Sequence, residues 1–155
     1  MNTSSRQYKR HPDDEAMPMP ESKKIAVRFL EAFWAGELET ALALCDEKAV
    51  WTFQKSLREP RYASIPEAVQ FLMDALVSEF DPDSGYSVEV HNAMEEGEEA
   101  AVEYTARGKT RRGDVYENNY LVRFTVEGDR IVSIRPYFDT HYVHQTLANL
   151  DSAAS

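Results

Sequence analysis

Residues 116–144, YENNYLVRFTVEGDRIVSIRPYFDTHYVH, constrain the fold more than any other stretch of the chain. Asn118, Tyr120, Val122, Phe124 and Val126 alternate with Asn119, Leu121, Arg123 and Thr125. Successive strand side chains point to opposite faces, so a period of two rich in aromatic and β-branched residues predicts a strand. Ile131 to Phe138 predicts a second strand. Between the two, Glu127-Gly128-Asp129-Arg130 is a tight turn, and Gly128-Asp129 can supply the positive φ that a hairpin needs. Continued alternation puts Arg135, Tyr137 and Asp139 on one face. Asp139 ends the strand where a helical pattern begins, and a carboxylate there is the strongest chemical candidate in the sequence.

Upstream, Met1 to about Glu21 is polar, carries Pro12, Pro18 and Pro20, and lacks apolar periodicity. It reads as a flexible leader, or as an arm that orders only against a neighbour. The folded domain is expected over residues 22–150, with a disordered tail at 151–155. Ser22 is the expected N-cap of a first helix whose stripe is Ile25, Phe29 and Phe33 with Ala26, Leu30 and Trp34, stopped by Gly36. A short second helix puts Leu38, Ala41, Leu42 and Cys45 on one side, and Asp46 to Lys48 reads as a polar break. Ala49 to Gln54 is a strand with Trp51 and Phe53 on one face. After a loop around Pro60, Ser64, Pro66 and Glu67 have capping-box spacing for a third helix that buries Val69, Leu72, Met73 and Leu76. Asp81 to Gly85 breaks the chain, and from Tyr86 onward it reads mostly as sheet. Val143, Leu147 and Leu150 close it at helical spacing. Helices grouped beside a curved antiparallel sheet define an α+β class.

At 155 residues the chain can bury one real core and not comfortably two. No apolar run reaches membrane-span length, so no membrane partner is expected. One cysteine, Cys45, excludes an internal disulfide and fits a reducing, cytoplasmic setting. Of the net charge of −10, residues 1–22 account for −1 (Arg6, Lys9 and Arg10 against Asp13, Asp14, Glu15 and Glu21), which leaves −9 for the domain. That field repels phosphate backbones and argues against nucleic acid as a partner.

The run Tyr116-Glu117-Asn118, Tyr120, Phe124, Gly128-Asp129-Arg130-Ile131, Arg135 and Tyr137-Phe138-Asp139-Thr140 resembles the C-terminal signature of the SnoaL-like families. These belong to the nuclear transport factor two-like superfamily, with ketosteroid isomerases, limonene epoxide hydrolase and polyketide cyclases as relatives. The resemblance implies a cystatin-like α+β barrel over roughly residues 22–150, a cone of curved sheet closed by three N-terminal helices. It also implies that an acid at Asp139 takes part in epoxide opening or in acid/base-assisted ring closure. Carried over position by position, the epoxide hydrolase set fails: Tyr104 and Ala106 stand where its Arg and second Asp belong. Trp51 and Phe53 replace its water-positioning Tyr and Asn, and Phe53 falls where the isomerase base should be. The pocket and one acid remain.

Within such a cone, Trp51, Phe53, Tyr120 and Tyr137 would surround Asp139, and desolvation would raise its pKa toward that of a general acid or base. The structural alternative is an Asp that caps the following helix. Tyr104, Asn118 and Tyr120 are the polar helpers available for a carbonyl, or they satisfy buried backbone groups. Arg135 either binds an anionic ligand or pairs with Glu103 or Asp139, and Pro136 suggests a bulge or free edge beside it. Asp139, His141 and His144 make no convincing metal site, and without a phosphate-cradling glycine loop no cofactor is expected. Two functions follow. One is a cofactor-independent isomerase, cyclase or hydratase-type enzyme acting on a small hydrophobic molecule through Asp139. The other is a ligand-binding or assembly module of the same fold. In either case uncovered apolar sheet surface predicts a homodimer.

Overall fold

The computed structural model describes residues 21–147; the expected leader, apart from Glu21, and the expected tail lie outside the described residues. Helix α1 (Ser22–Trp34) is amphipathic and turns Ala26, Phe29 and Leu30 into the core, with Ile25, Phe33 and Trp34 half-buried at its margins. Its cap differs from the expected one. Glu21 occupies the N-cap position without a side-chain bond. The carboxylate of Glu95, from the far end of the sheet, accepts instead from the Lys23 N–H at 2.9 Å and from the Ser22 hydroxyl at 3.2 Å. The helix ends at Gly36, whose φ of +78° reverses the chain. Helix α2 (Leu38–Ala43) follows, and then strand β1 (Cys45–Thr52).

Strand β1 corrects two expectations. Cys45 begins the strand rather than ending the helix, and Asp46–Lys48 belong to it rather than breaking it. The register against β6 shifts between Cys45 and Val50, so the polar residues occupy an irregular stretch that the local pattern disguises. Strand β2 (Tyr62–Ser64) leads into α3 (Ile65–Ala75), where the Ser64 hydroxyl accepts from the Glu67 N–H at 3.3 Å as the capping spacing predicts. A 3-10 turn at Val77–Glu79 precedes β3 (Tyr86–Glu96), β4 (Glu99–Lys109), β5 (Val115–Glu127) and β6 (Arg130–Phe138). Helix α4 (Thr140–Thr146) closes the described chain.

The six strands form one sheet in the order β2-β1-β6-β5-β4-β3. All neighbours are antiparallel except β1 and β6, which run parallel and are separated in the chain by β2, α3, the 3-10 turn and β3 to β5. The β5–β6 hairpin forms around Gly128 at φ +64°, and the inward residues of β5 are those the alternation selects: Asn118, Tyr120, Val122, Phe124 and Val126. Pro136 sits in register opposite Val122, so of the two expectations, a bulge or a free edge, the bulge is absent. Its carbonyl points toward the β1 side, where it accepts from the Gln54 amide. The N and C=O of one strand residue face the same side, so its missing N–H also faces the space that β1 vacates after Thr52. The proline therefore costs no ladder bond.

The result is an α+β cone: one sheet face curls around Phe29, Phe124, Ile131 and Ile134, and the helices pack on it. No helix among the described residues is long and apolar enough to cross a membrane.

Candidate functional site

Inside the cone lies a cavity of about 50 Å³. Leu30 and Trp34 of α1, Leu72 of α3, Leu147 beyond α4, and Tyr104, Tyr120 and Phe138 of the sheet are among its walls. The surfaces are aromatic because adjacent inward positions of β4, β5 and β6 stack. Tyr104 and Tyr120 are cross-strand partners with rings 4.9 Å apart and 3° from parallel, and Phe138 lies 4.9 Å beyond Tyr120. Trp34 meets Tyr104 and Tyr120 edge-on, the geometry favoured by aromatic quadrupoles.

A few polar atoms interrupt this wall. The Trp34 indole N–H donates to the Tyr104 hydroxyl at 3.2 Å. Tyr116 and Tyr120 share a short hydroxyl–hydroxyl contact, and the Asn118 amide donates to the Tyr116 oxygen at 3.2 Å and to the Asp139 carbonyl at 3.3 Å. The Trp51 indole nitrogen and the Gln54 side-chain oxygen are buried with no partner among the described residues. Desolvation pushes the Tyr116 phenol up to about 12 and drives Tyr104 and Tyr120 upward as well, so all three stay neutral donors near neutral pH. None of the cavity's lining residues is a carboxylate, histidine or lysine.

Three of the residues expected at a site, Trp51, Tyr104 and Tyr120, come together in the cavity wall. Asn118 is buried one step behind them, held by Tyr116 and Asp139. Phe53 is buried but packs away from the cavity, against Trp51 and Phe71 and beneath the Arg58 guanidinium. Arg135, Tyr137 and Asp139 do share a side, as alternation requires, but it is the outer one. Arg135 and Tyr137 are exposed, and Arg135 pairs with neither Glu103 nor Asp139. Asp139 is exposed too, not sheltered among aromatics, and its carboxylate caps α4 by accepting from the Tyr142 N–H at 2.9 Å. The alternation is correct and its phase relative to the core is reversed: Ile134, Pro136 and Phe138 face in.

Two wall residues carry more of the site than the sequence reading allotted them. Tyr116 has the same parity in β5 as Asn118 and Tyr120, so the alternation itself marks it. Trp34 lies one helical turn after Leu30 on the stripe of α1, a signal that core packing hides.

An α+β cone that encloses an aromatic hollow defines a class of small-pocket proteins. The chain belongs to the SnoaL-like domain family, whose model matches residues 26–134. Solved structures of the same fold include a provisionally assigned SnoaL-like polyketide cyclase from Jannaschia sp. CCS1 (16% identity, 84% of this chain and 94% of that one, TM-score 0.69). An NTF2-like protein of unknown function from Burkholderia pseudomallei K96243 is 19% identical over 83% of this chain and 98% of its own, with a TM-score of 0.67. TerC, co-crystallized with polyporic acid, is 12% identical over 81% of this chain and 96% of its own, with a TM-score of 0.68. No curated protein matches the chain by sequence at a significant level.

Proposed function

We propose that the chain is a binding module that holds a small, largely apolar molecule in the cone. The observation that carries this reading is the cavity wall, which is aromatic and aliphatic and has no carboxylate, histidine or lysine among its lining residues. A hollow of this composition favours an apolar guest by desolvation, with a few fixed polar atoms to orient it. The co-crystallization of TerC with polyporic acid shows a cone of this fold beside a small molecule and supports the same use here. A cavity of about 50 Å³ holds a few waters. A larger guest therefore enters as half-buried side chains of the wall, such as Phe33 and Phe138, turn aside.

Acid/base catalysis by Asp139 is the second reading. Its support is position: the Asp139 carbonyl takes one hydrogen of the Asn118 amide, and that amide leads on to Tyr116 and the cavity. Pairing of two copies through the outer sheet face completes the proposal.

The test is calorimetric binding of small apolar aromatics and ketones to the wild type, to Val122→Phe and to Asp139→Asn. Val122 lines the cavity and is 2% exposed, so a larger ring there fills the hollow. Binding that is abolished by Val122→Phe and kept by Asp139→Asn, with no turnover in either, is the expected result. Turnover by the wild type that Asp139→Asn removes would instead establish the catalytic reading.

A further inference from the structure

Between α1 and β3 runs a groove whose cationic bank is Lys23, Lys24 and Arg28 and whose apolar floor is Val27, Val90 and Ala93. Glu31 is the one acid among its lining residues. In a domain of net charge −9 that bank is an exception, and it is short of counter-charge. Lys24 pairs with Glu21 at 3.0 Å, whereas Lys23 and Arg28 have no ion-pair partner among the described residues. Val90 to Ala93 line the groove as consecutive residues, so the wall on that side is the edge of the strand and not one of its faces. Strand β3 is the last of the sheet, and its backbone edge turned away from β4 has no strand partner among the described residues. An open edge of this kind takes an added strand through its free N–H and C=O groups. The register shift between Val90 and Asn92 limits such a strand to a few residues.

We propose that the occupant is the chain's own segment Asp13-Asp14-Glu15-Ala16-Met17-Pro18-Met19-Pro20, which precedes α1 and lies outside the described residues. The direction fits. The Ser22 hydroxyl meets Glu95 and the Gly97 carbonyl at one end of the groove, and the Trp34 ring meets Tyr86 at the other, so α1 runs antiparallel to β3. A chain that comes along the groove to Ser22 therefore runs parallel to β3 and turns into the helix at Glu21. The length fits too, since five extended residues span about 16 Å and α1 rises about 12 Å from Lys23 to Glu31. The spacing of the prolines adds a third argument. Pro12, Pro18 and Pro20 all fall on even positions, so in an extended segment their missing N–H groups face one side, and the N–H groups of Glu15, Met17 and Met19 face the other. That second side pairs with β3, and the prolines blunt the new edge. Met17 and Met19 then cover the apolar floor, and the acids Asp13, Asp14 and Glu15 answer the cationic bank. Surface ion pairs are each worth little, so the backbone bonds and the methionines hold the segment while the charges select it.

The experiment attaches a nitroxide to Ala16→Cys in the full chain and reads amide broadening by NMR; Cys45, 5% exposed, is shielded from the label. The expected result is loss of most of the intensity at Val27, Arg28 and Val90 to Ala93, with no loss at Tyr62–Ser64 on the opposite edge of the sheet. Arg28→Glu, a change at an exposed position, should restore much of that intensity. In the chain without the label, Met17→Pro removes an N–H from the pairing side and should shift the amide resonances of Val90 to Ala93. Ala16→Pro adds a proline to the side that already carries them and should leave those resonances in place. Broadening confined to the residues next to Ser22, or equal effects of the two prolines, overturns the proposal. Nitroxide-bearing chains mixed with isotopically enriched chains that carry none separate the remaining case. Broadening in the enriched chains would seat the segment on a second copy and overturn its assignment to the groove of its own chain. The nitroxide measurement stands by itself should Arg28→Glu fail to fold.

Discussion

Tyr104, Tyr116 and Tyr120 put three ionisable groups where the neutral form alone is tolerated, and Cys45 adds a fourth. Burial raises the Cys45 thiol from 9.0 to about 12, opposed weakly by Arg130, and raises Tyr116 from 10.0 to about 12. A group whose folded pKa exceeds its unfolded value supports the fold fully below the unfolded pKa. Above that point the unfolded chain binds fewer protons than the native one, so stability falls as pH rises. The urea midpoint should thus hold steady up to about pH 9 and fall between about pH 9 and 12, with tyrosinate absorbance from the buried rings appearing only with unfolding. Tyrosinate absorbance of those rings in the folded state near their ordinary value would contradict their burial. Asp139 works differently, as a cap. Asp139→Ala should cost about 1 kcal/mol of stability and Asp139→Asn, which keeps an accepting oxygen, far less, measured by urea unfolding. The same residue marks the limit of what local pattern conveys. Alternation groups Arg135, Tyr137 and Asp139 correctly, but which of two faces meets the core is decided by how β6 sits between β1 and β5, and no residue within the strand records that.

Elements whose signals are local were legible, and elements fixed by distant partners were not. The hairpin around Gly128 and the Ser64 cap of α3 both complete within a few residues, so their patterns stand in the sequence. The N-terminus of α1 does not. Ser22 looks like its cap, yet the acceptor comes from Glu95 in the β3–β4 hairpin, which also receives the sheet end against the helix: the Ser22 hydroxyl reaches both Glu95 and the Gly97 carbonyl at 3.0 Å. A helix N-terminus presents unpaired N–H groups and a partial positive charge, so a carboxylate there both bonds and complements the dipole. Glu95→Ala should then destabilise the protein by about 1 kcal/mol, with hydrogen exchange at Lys23 and Lys24 rising more than in the centre of α1. Unchanged protection at Lys23 would mean that another group has taken over the cap. Strand β1 was read short for a related reason: its first half pairs irregularly with β6, so Asp46–Lys48 lack the alternation that a regular ladder imposes.

The helices among the described residues pack on one side of the sheet or at its end, so the other side is left with what the strands themselves provide. The sheet's phenylalanines do not add to that side: Phe124 is buried and Phe138 half-buried. While Val50, Tyr62, Val90, Met94 and Val115 are exposed elsewhere on the strands, Leu121 and Tyr137, direct cross-strand partners at 42% and 52% exposed, make an apolar pair in the middle of the sheet. Around them the row is polar: Glu103 pairs in register with Leu121, and Arg135 with Arg123, yet neither Glu103 nor Arg135 has an ion-pair partner among the described residues. A twofold axis near Leu121 would bring each copy's unpaired acid toward the other's unpaired base, since in an isologous contact the same patch serves both sides. The apolar pair would then form the centre and the charges the rim, the usual arrangement of a specific interface. Light scattering after size exclusion at micromolar protein should give twice the 17.7 kDa of one chain. Tyr137→Lys and Leu121→Lys each place two added charges across the axis and should return the particle to monomer without lowering the urea midpoint of the monomer fold. A wild type that elutes as a single chain at those concentrations would show that this face is left to water, and that the cone works alone.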